Sequence, residues 1–171
     1  MEPRKSLKII IPLKELQGKI VRLTEIKIIV SDEVFELFPV KQKHVQKFAA
    51  HVLKSSGISQ CDVNIVLVND EKMTELNEKF KKRKSTTDVL SFNLSDESSD
   101  IVEGEVYISL ERAKKQSLDY NVPYEEEIIR LVTHGLLHLA GRTHNSDEEY
   151  QSMMEDTEKF VNNFFHNGEL N

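Results

Sequence analysis

Three of the chain's six histidines lie in the segment His134-Gly-Leu-Leu-His138-Leu-Ala-Gly141-Arg-Thr-His144. Histidines four residues apart on a helix lie on one face, one turn apart, so their imidazoles can converge on a single ion at ~2.0–2.1 Å. Gly141 allows the chain to leave the helix and turn back, which would bring His144 to the same ion. Three neutral imidazoles with an open fourth position are a catalytic zinc arrangement. We therefore predict one zinc ion at His134, His138 and His144, with nickel or another divalent metal as alternatives.

The spacing His-x-x-x-His-x-x-Gly-x-x-His is also that of the metzincin proteases, which carry a glutamate directly after the first histidine as general base. This chain has Gly135 there, which argues against peptide hydrolysis by that mechanism. We interpret Glu125, Glu126 and Glu127 as a solvated first helical turn that complements the helix dipole. No side chain is therefore assigned as general base, and water activated by the metal is the expected nucleophile.

The pattern of helices and strands predicted around this segment indicates an α+β fold, in which a small mixed sheet of about four strands packs against helices. The metal-binding helix is apolar nearly all round from Ile128 to Ala140, which places it in the core between Pro123 and Gly141. Ser146 to Glu149 matches the capping box of a following helix. Strands are predicted at 8–11, 25–30, 63–68, 87–94 and 105–110, and further helices are predicted at 41–55, 70–80 and 111–120.

Composition favours a soluble globular protein, because 39% of the 171 residues are hydrophobic and 30% are charged. We expect a single domain over residues 1–171, with strands or an extension at 1–40 and the functional core at 60–160. The lone cysteine, Cys61, is expected to be a small buried residue. No apolar run reaches the ~18 residues of a membrane span, and no signal peptide is apparent, so we expect a cytoplasmic protein.

The segment Lys79-Phe80-Lys81-Lys82-Arg83-Lys84 is strongly basic in a chain of net charge −6. It is either a phosphate-binding patch or a solvated loop. Phe80 and Phe92 are predicted to be core residues, so the sequence shows no obvious platform for base stacking. Asp88 and Ser91 belong to a strand that would approach the histidines, but we assign neither a catalytic role.

Two blocks of this sequence match known signatures. The segment 134–144 resembles the signature HGxLHLxGxDH, and Leu76-Asn77 followed by Thr87-Asp88-Val89-Leu90-Ser91-Phe92 resembles an LN…TDVLSF block. Both signatures are those of the YbeY family of endoribonucleases, which this chain therefore resembles. Gly104 to Ser109 is similar to the strand that follows, and Met154 and Glu158 fall in the expected final helix. The resemblance covers about residues 60–160 in the correct order and spacing.

The resemblance implies a zinc-dependent, single-strand endoribonuclease that acts in ribosomal RNA maturation and ribosome quality control by metal-assisted phosphodiester hydrolysis. It implies single-stranded or ribosomal RNA as substrate and ribosomal particles as partners. Lys81 and Arg83 would bind the substrate phosphates and offset their charge. Two alternatives stay open: a metal-dependent hydrolase of a non-RNA substrate, and a non-catalytic zinc-containing ribosome assembly or binding factor.

The chain departs from the family pattern at four positions. Thr143 replaces the usual aspartate before the third histidine, and Arg142 replaces an aromatic residue. Lys81 replaces an arginine and Thr86 replaces a proline. Lysine keeps the positive charge but loses the bidentate fork of arginine, and Arg83 is the candidate to supply that fork.

Overall fold

A four-stranded mixed sheet and six helices make up the described part of the chain, residues 24–97 and 99–166 of this computed structural model. The strands are β1 (Glu25–Val30), β2 (Cys61–Val68), β3 (Val89–Asn93) and β4 (Val102–Ser109). The helices are α1 (Asp32–Leu37), α2 (Gln42–Ser55), α3 (Asp70–Lys81), α4 (Leu110–Asp119), α5 (Tyr124–Leu139) and α6 (Asp147–His166). This arrangement confirms the predicted α+β class.

The strands lie in the order β1-β2-β4-β3. β1 and β2 are parallel, β2 and β4 are parallel, and β3 runs antiparallel to β4. β3 is therefore an edge strand of the described sheet and is only five residues long. α5 packs against β3, and the loop that follows α3 leads directly into this strand.

Apolar clusters cover both faces of the sheet. The larger cluster joins the sheet to α2, α4 and α5, and the smaller one holds Val68, Met73 and Leu90 beneath α3. The apolar run 63–68 contributes to both clusters, which confirms that β2 is covered on both faces. Cys61 is 1% exposed, as predicted for a small buried residue.

α5 is the central helix and packs against α2, α4, α6, β3 and β4. Its side chains at Ile128, Ile129, Val132 and Leu136 are at most 1% exposed, which confirms its predicted place in the core. In the described part of the chain, no helix is long and apolar enough to cross a membrane.

The acidic start of α5 corrects one interpretation, because these glutamates are not a solvated turn. Glu127 is 2% exposed and accepts a 2.6 Å hydrogen bond from Arg130. The same guanidinium binds Glu126 at 2.9 Å and Glu158 of α6 at 2.6 Å. Arg130 thus joins the start of α5 to α6 through three carboxylates, a role that helix dipole arguments do not anticipate.

Other predicted elements lie close to the observed ones, with three differences. The short helix α1 was not predicted, since only Val34 of its six residues is buried. The prediction that Phe80 is a core residue is wrong, because this residue is 53% exposed at the end of α3. Tyr150, which helical spacing predicts on the same side of α6 as the buried Met153, is 48% exposed. The strand predicted at 8–11 lies outside the described residues.

Candidate metal centre

His134 and His138 stand on one face of α5, at the end of the helix that lies beside β3. Both side chains are half-buried, between the apolar core and an open pocket. Their imidazole centroids are 4.9 Å apart, as the one-turn spacing predicts. The apolar side of α5 therefore holds the pair in place while the opposite side presents their nitrogens.

Gly135 lies at a close approach between α5 and the sheet. A Cβ atom at this position would lie 2.3 Å from Cγ1 of Val106 and 3.2 Å from both Oγ of Ser91 and Cγ2 of Val89. No side chain fits there without displacement of the helix or the sheet. The glycine that replaces the metzincin glutamate is therefore a packing requirement of this fold, and it brings the histidines close to β3.

Gly141 ends α5 in the left-handed conformation, with φ of 85°. Its N–H donates to the carbonyl of His138 at 3.0 Å, and the N–H of Arg142 donates to the carbonyl of Leu137 at 3.0 Å. These two bonds form a Schellman motif, which reverses the chain after the helix. The turn returns His144 towards α5, as the position of the glycine predicts.

The three imidazoles converge on one point. The centroid of His144 lies 4.9 Å from that of His138 and 5.9 Å from that of His134. One nitrogen from each ring lies within 4.8 Å of the other two. A tetrahedral ion with bonds of ~2.0–2.1 Å holds its ligand nitrogens roughly 3.4 Å apart, so small side-chain rotations would complete the site.

Two observations test whether these rings suit a metal. Nδ1 of His138 lies 3.1 Å from the carbonyl oxygen of Arg142. A carbonyl can only accept, so Nδ1 carries the proton and Nε2 keeps a free lone pair, which is the usual second contact of a metal-binding histidine. Burial, with the charges of His138 and His144, lowers the pKa of His134 to about 4. Burial also lowers the pKa of His138, so neutral rings are available to a cation.

The side chain of Arg142 fixes the loop that supplies this carbonyl. Its guanidinium lies 2.7 Å from a carboxylate oxygen of Asp156 and donates to Oγ of Ser152 at 3.0 Å, both on α6. The arginine that replaces the family's aromatic residue therefore joins the loop to α6. The backbone carbonyl of Arg142 accepts the hydrogen bond from His138, so the bonds between its side chain and α6 also help to fix the orientation of that imidazole ring.

Glu149 holds the other side of the loop. Its Oε2 accepts from Oγ1 of Thr143 at 3.0 Å and from the backbone N–H of Asn145 at 2.8 Å, on either side of His144. These bonds lower the pKa of Glu149, with the Asn145 bond the largest cause. The N–H of Glu149 donates to Oγ of Ser146 at 3.2 Å. The predicted capping box thus forms. Its glutamate also binds the backbone of Asn145, one residue before the cap, and so fixes the segment that carries His144.

Lys81 and Arg83 line the same open pocket as the three histidines, with a volume of about 710 Å³. Asn77, which is 5% exposed, positions the chain after α3 by a 2.6 Å hydrogen bond from Nδ2 to the carbonyl of Ser85. Lys82 takes the left-handed conformation at the end of α3, with φ of 55°. The structure therefore brings the basic residues and the histidines to one cavity.

Asp88 and Ser91 also line the pocket, and their side chains make hydrogen bonds that hold neighbouring parts of the chain together. The carboxylate of Asp88 accepts from the N–H of Val89 at 2.9 Å and from Nε2 of Gln116 at 2.9 Å. Oγ of Ser91 donates to the carbonyl of Gly135 at 3.1 Å and so ties β3 to α5. These bonds connect β3 and the residue before it to α5 and α4.

Sequence reasoning did not identify Asn77, Arg142 or Glu149 as residues that organise the site. A signal existed for Glu149, because it is the last residue of the capping box next to His144. Asn77 was noted only as part of the resemblance, and Arg142 only as a departure from it. Their hydrogen bonds join a helix to a loop, between residues 4 to 10 positions apart along the chain, and side-chain periodicity does not report such contacts.

Comparisons with known proteins identify a matching family. Residues 30–165 match the family described as Endoribonuclease YbeY. A protein of that name from Persephonella marina is 35% identical over 118 residues, which cover 67% of this chain and 77% of that protein. Another from Petrotoga mobilis is 35% identical over 127 residues, which cover 73% of this chain and 87% of that protein.

The fold is similar to a solved structure. The solution structure of TM1509 from Thermotoga maritima aligns with a TM-score of 0.53 at 28% identity. The alignment covers 79% of this chain and 87% of that one.

Proposed function

The chain belongs to the endoribonuclease YbeY family, and from this premise we propose that it is a zinc-dependent, single-strand endoribonuclease that acts on ribosomal RNA. One observation carries the proposal beyond the family: three imidazoles that could share one ion open onto a pocket that also contains Lys81 and Arg83. Phosphodiester hydrolysis needs a centre that activates water and a cationic environment for the phosphate, and this pocket combines both.

His134, His138 and His144 would hold the ion, since each offers one nitrogen to a common point. When bound, zinc would supply Lewis acidity, to activate water near neutral pH or to withdraw charge from a phosphoryl oxygen. Nickel or another divalent ion with affinity for imidazole would fit the same ligands. Glu149 and the carbonyl of Arg142 would keep the histidines in position through the contacts described above.

Lys81 and Arg83 would bind the phosphates on either side of the scissile bond. Among the described residues, neither makes an ion pair with a carboxylate, so both cations are available to RNA. Arg83 can present two parallel N–H donors to a phosphate, whereas Lys81 acts as a point charge. This division would compensate for the lysine at the position where the family has arginine.

The biological setting we propose is ribosomal RNA maturation and ribosome quality control in the cytoplasm, with ribosomal particles as partners. The support is family membership together with the open form of the pocket, which leaves room for a strand of a large RNA. Co-sedimentation with ribosomal particles, compared between wild type and a Lys81→Ala/Arg83→Ala variant, tests this part of the proposal.

The central test measures zinc content and RNA cleavage on the same samples. The proteins are wild type, His138→Ala and the control His51→Ala, which removes a half-buried histidine of α2, all purified without a histidine tag. We expect about one equivalent of zinc and cleavage of single-stranded RNA in wild type and in the control, with loss of both in His138→Ala. Folded wild type that neither contains nor takes up zinc or nickel would contradict the proposal.

A second test separates phosphate binding from metal binding. Lys81→Ala and Arg83→Ala should retain zinc but cleave RNA more slowly, whereas Lys47→Ala on the exposed side of α2 should behave as wild type. For single strands, each lost phosphate contact reduces the slope of log K against log salt by about 0.7. Unchanged cleavage and an unchanged salt slope would show that the basic segment is a solvated loop.

A further inference from the structure

Three aromatic rings form a row on the side of the sheet that carries α3. Phe80 of α3 lies 4.9 Å from Phe92 of β3, and Phe92 lies 5.8 Å from Tyr107 of β4, measured between ring centroids. Phe92 and Tyr107 are partly buried against the small cluster beneath α3, and the Tyr107 hydroxyl donates to Glu105 at 2.8 Å. The inner rings are therefore fixed, and Phe80 at the outer end is 53% exposed.

An isolated exposed phenylalanine is common on protein surfaces, but this one is not isolated. Its inner side rests on Phe92 with an angle of 58° between the rings, which limits its movement. Removal of a phenylalanine ring from water is favourable, and more than half of this residue is left for another surface. A flat partner would cover the ring without any rearrangement of the sheet.

The charges around the ring favour an anionic partner. Nζ of Lys79 lies 5.1 Å from the centroid of Phe80, and Lys81, Lys82 and Arg83 follow in sequence. Within the described residues, no carboxylate pairs with any of these four cations. The nearby acids are already engaged: Glu78 with Lys84, Glu75 with Lys72, and Glu105 with Tyr107.

The row lies next to the candidate active site. Successive side chains of a strand point to opposite faces, so Phe92 faces α3 whereas Ser91 and Asn93 line the pocket that contains the histidines. Lys81, directly after Phe80, lines the same pocket from the end of α3. The pocket and the aromatic row are therefore separated by the edge strand β3, and a ligand that crosses this edge can contact both.

We propose that Phe80, supported by Phe92, is a stacking platform for a base of single-stranded RNA whose phosphates lie along Lys79, Lys81 and Arg83. The inference rests on the proposed endoribonuclease function and adds a binding site outside the catalytic pocket. Aromatic stacking beside cations is the usual mode of single-strand binding, and it tolerates any sequence because every base has a π face. A duplex would not use this platform, since its bases are already stacked on one another. The site therefore supplies a preference for single strands.

The experiment measures binding of a labelled 12-nucleotide oligoadenylate with 2′-O-methyl riboses by fluorescence anisotropy, with a gel to show that the oligonucleotide stays intact. The proteins are wild type, Phe80→Ala, Phe80→Leu and Phe80→Tyr, each compared by thermal unfolding. We expect Phe80→Ala and Phe80→Leu to bind at least about fivefold more weakly, the lower end of the range for one stacked base. Phe80→Tyr should stay within about twofold of wild type, since it keeps the ring.

A series of oligonucleotides with one abasic position each identifies the stacked base. In wild type, one abasic position should cause a loss as large as Phe80→Ala, and in Phe80→Ala the same position should cause no further loss. The salt slope should stay unchanged in Phe80→Ala and fall by about 0.7 in Lys81→Ala. This contrast separates the ring from the charges.

The possible results lead to different conclusions. Wild-type affinity in Phe80→Ala, with RNA cleavage intact, would overturn the platform and leave the proposed function standing. Wild-type affinity in Phe80→Leu would indicate an apolar contact, such as that of a protein partner, and would also overturn stacking. A wild-type protein that neither binds nor cleaves RNA would overturn both proposals.

Discussion

Gly135→Ala adds one methyl group where α5 packs closely against the sheet. The new Cβ would lie 2.3 Å from Cγ1 of Val106, a β4 residue that is 0% exposed. Valine has one strongly preferred χ1 rotamer and little space to turn in a close-packed core. The methyl group must therefore displace α5 or β4, and His134 and His138, on either side of the glycine, would move with the helix.

Two opposing contributions determine how much Gly135→Ala changes the free energy of unfolding. Overpacking a core costs ~1–3 kcal/mol, and a distance this short lies at the upper end of that range. Alanine in place of glycine inside a helix contributes about 1 kcal/mol in the opposite direction. We expect a net loss of about 1–2 kcal/mol in the free energy of unfolding, together with weaker zinc binding.

A double-mutant cycle with Val106→Ala is the decisive assay. Val106→Ala alone removes two buried methyl groups and should cost roughly 1.6 kcal/mol or more, at ~0.8 kcal/mol per group. In the double variant, the methyl group added by Gly135→Ala occupies the space that the valine side chain leaves. Urea unfolding of the four proteins should therefore show the double variant more stable than the sum of the single changes by at least ~0.5 kcal/mol.

Two results would contradict a steric clash between the new methyl group and Val106. If Gly135→Ala is as stable as wild type or more stable, helix propensity exceeds the steric term and the 2.3 Å contact relaxes without cost. If the two changes are additive, residues 135 and 106 do not share the space that the geometry assigns to them.

Arg130→Met should lower the free energy of unfolding at pH 7 by ~3–5 kcal/mol, because it leaves the buried carboxylate of Glu127 without its cation. Burial raises the pKa of Glu127, so this loss should shrink as the pH falls towards 4.5; a pH-independent loss in urea titrations contradicts it. Burial raises the pKa of Cys61 to about 11, so iodoacetamide at pH 8 should label this thiol only in denaturant, and labelling of native protein contradicts this. Arg142→Ala should weaken zinc binding by ~10–100-fold, because the carbonyl that orients His138 loses its support. Competition with a chelating zinc indicator measures the change, and unchanged affinity contradicts the role.

Local patterns predicted the elements of the fold well, because the signals involved are local. The apolar run 63–68, the capping box at Ser146 and the glycine after α5 each describe a few neighbouring residues. The order β1-β2-β4-β3 was not predicted, since it depends on which strands meet across the sheet. The position of β3 at an edge follows only from that order.

The errors have the same origin. Helical spacing within 70–80 predicts Phe80 on the same side of α3 as Met73, and Met73 is indeed fully buried. Phe80 lies in the last turn of α3, where its ring contacts Phe92 but the residue stays 53% exposed. Hydrophobic periodicity identifies one face of a helix but not how far along the helix that face is covered.

The three histidines were the most predictable part of the site, because two share a helix turn and the third follows a helix stop. The structure brings them together, and their role as metal ligands stays a prediction until an ion is measured. The supporting contacts of Arg142 and Glu149 were not predictable, because they depend on where α6 lies relative to the loop.

The short edge strand β3 also affects the tendency of the protein to aggregate. An exposed sheet edge presents unpaired backbone groups that can recruit a second chain, and proteins limit this with short strands and nearby lysines. β3 has five residues and follows a segment with five positive charges in six. The residues proposed to hold RNA would thus also repel a second molecule of the same protein at this edge. Variants that neutralise several of these lysines should be checked for aggregation before any loss of RNA binding is interpreted.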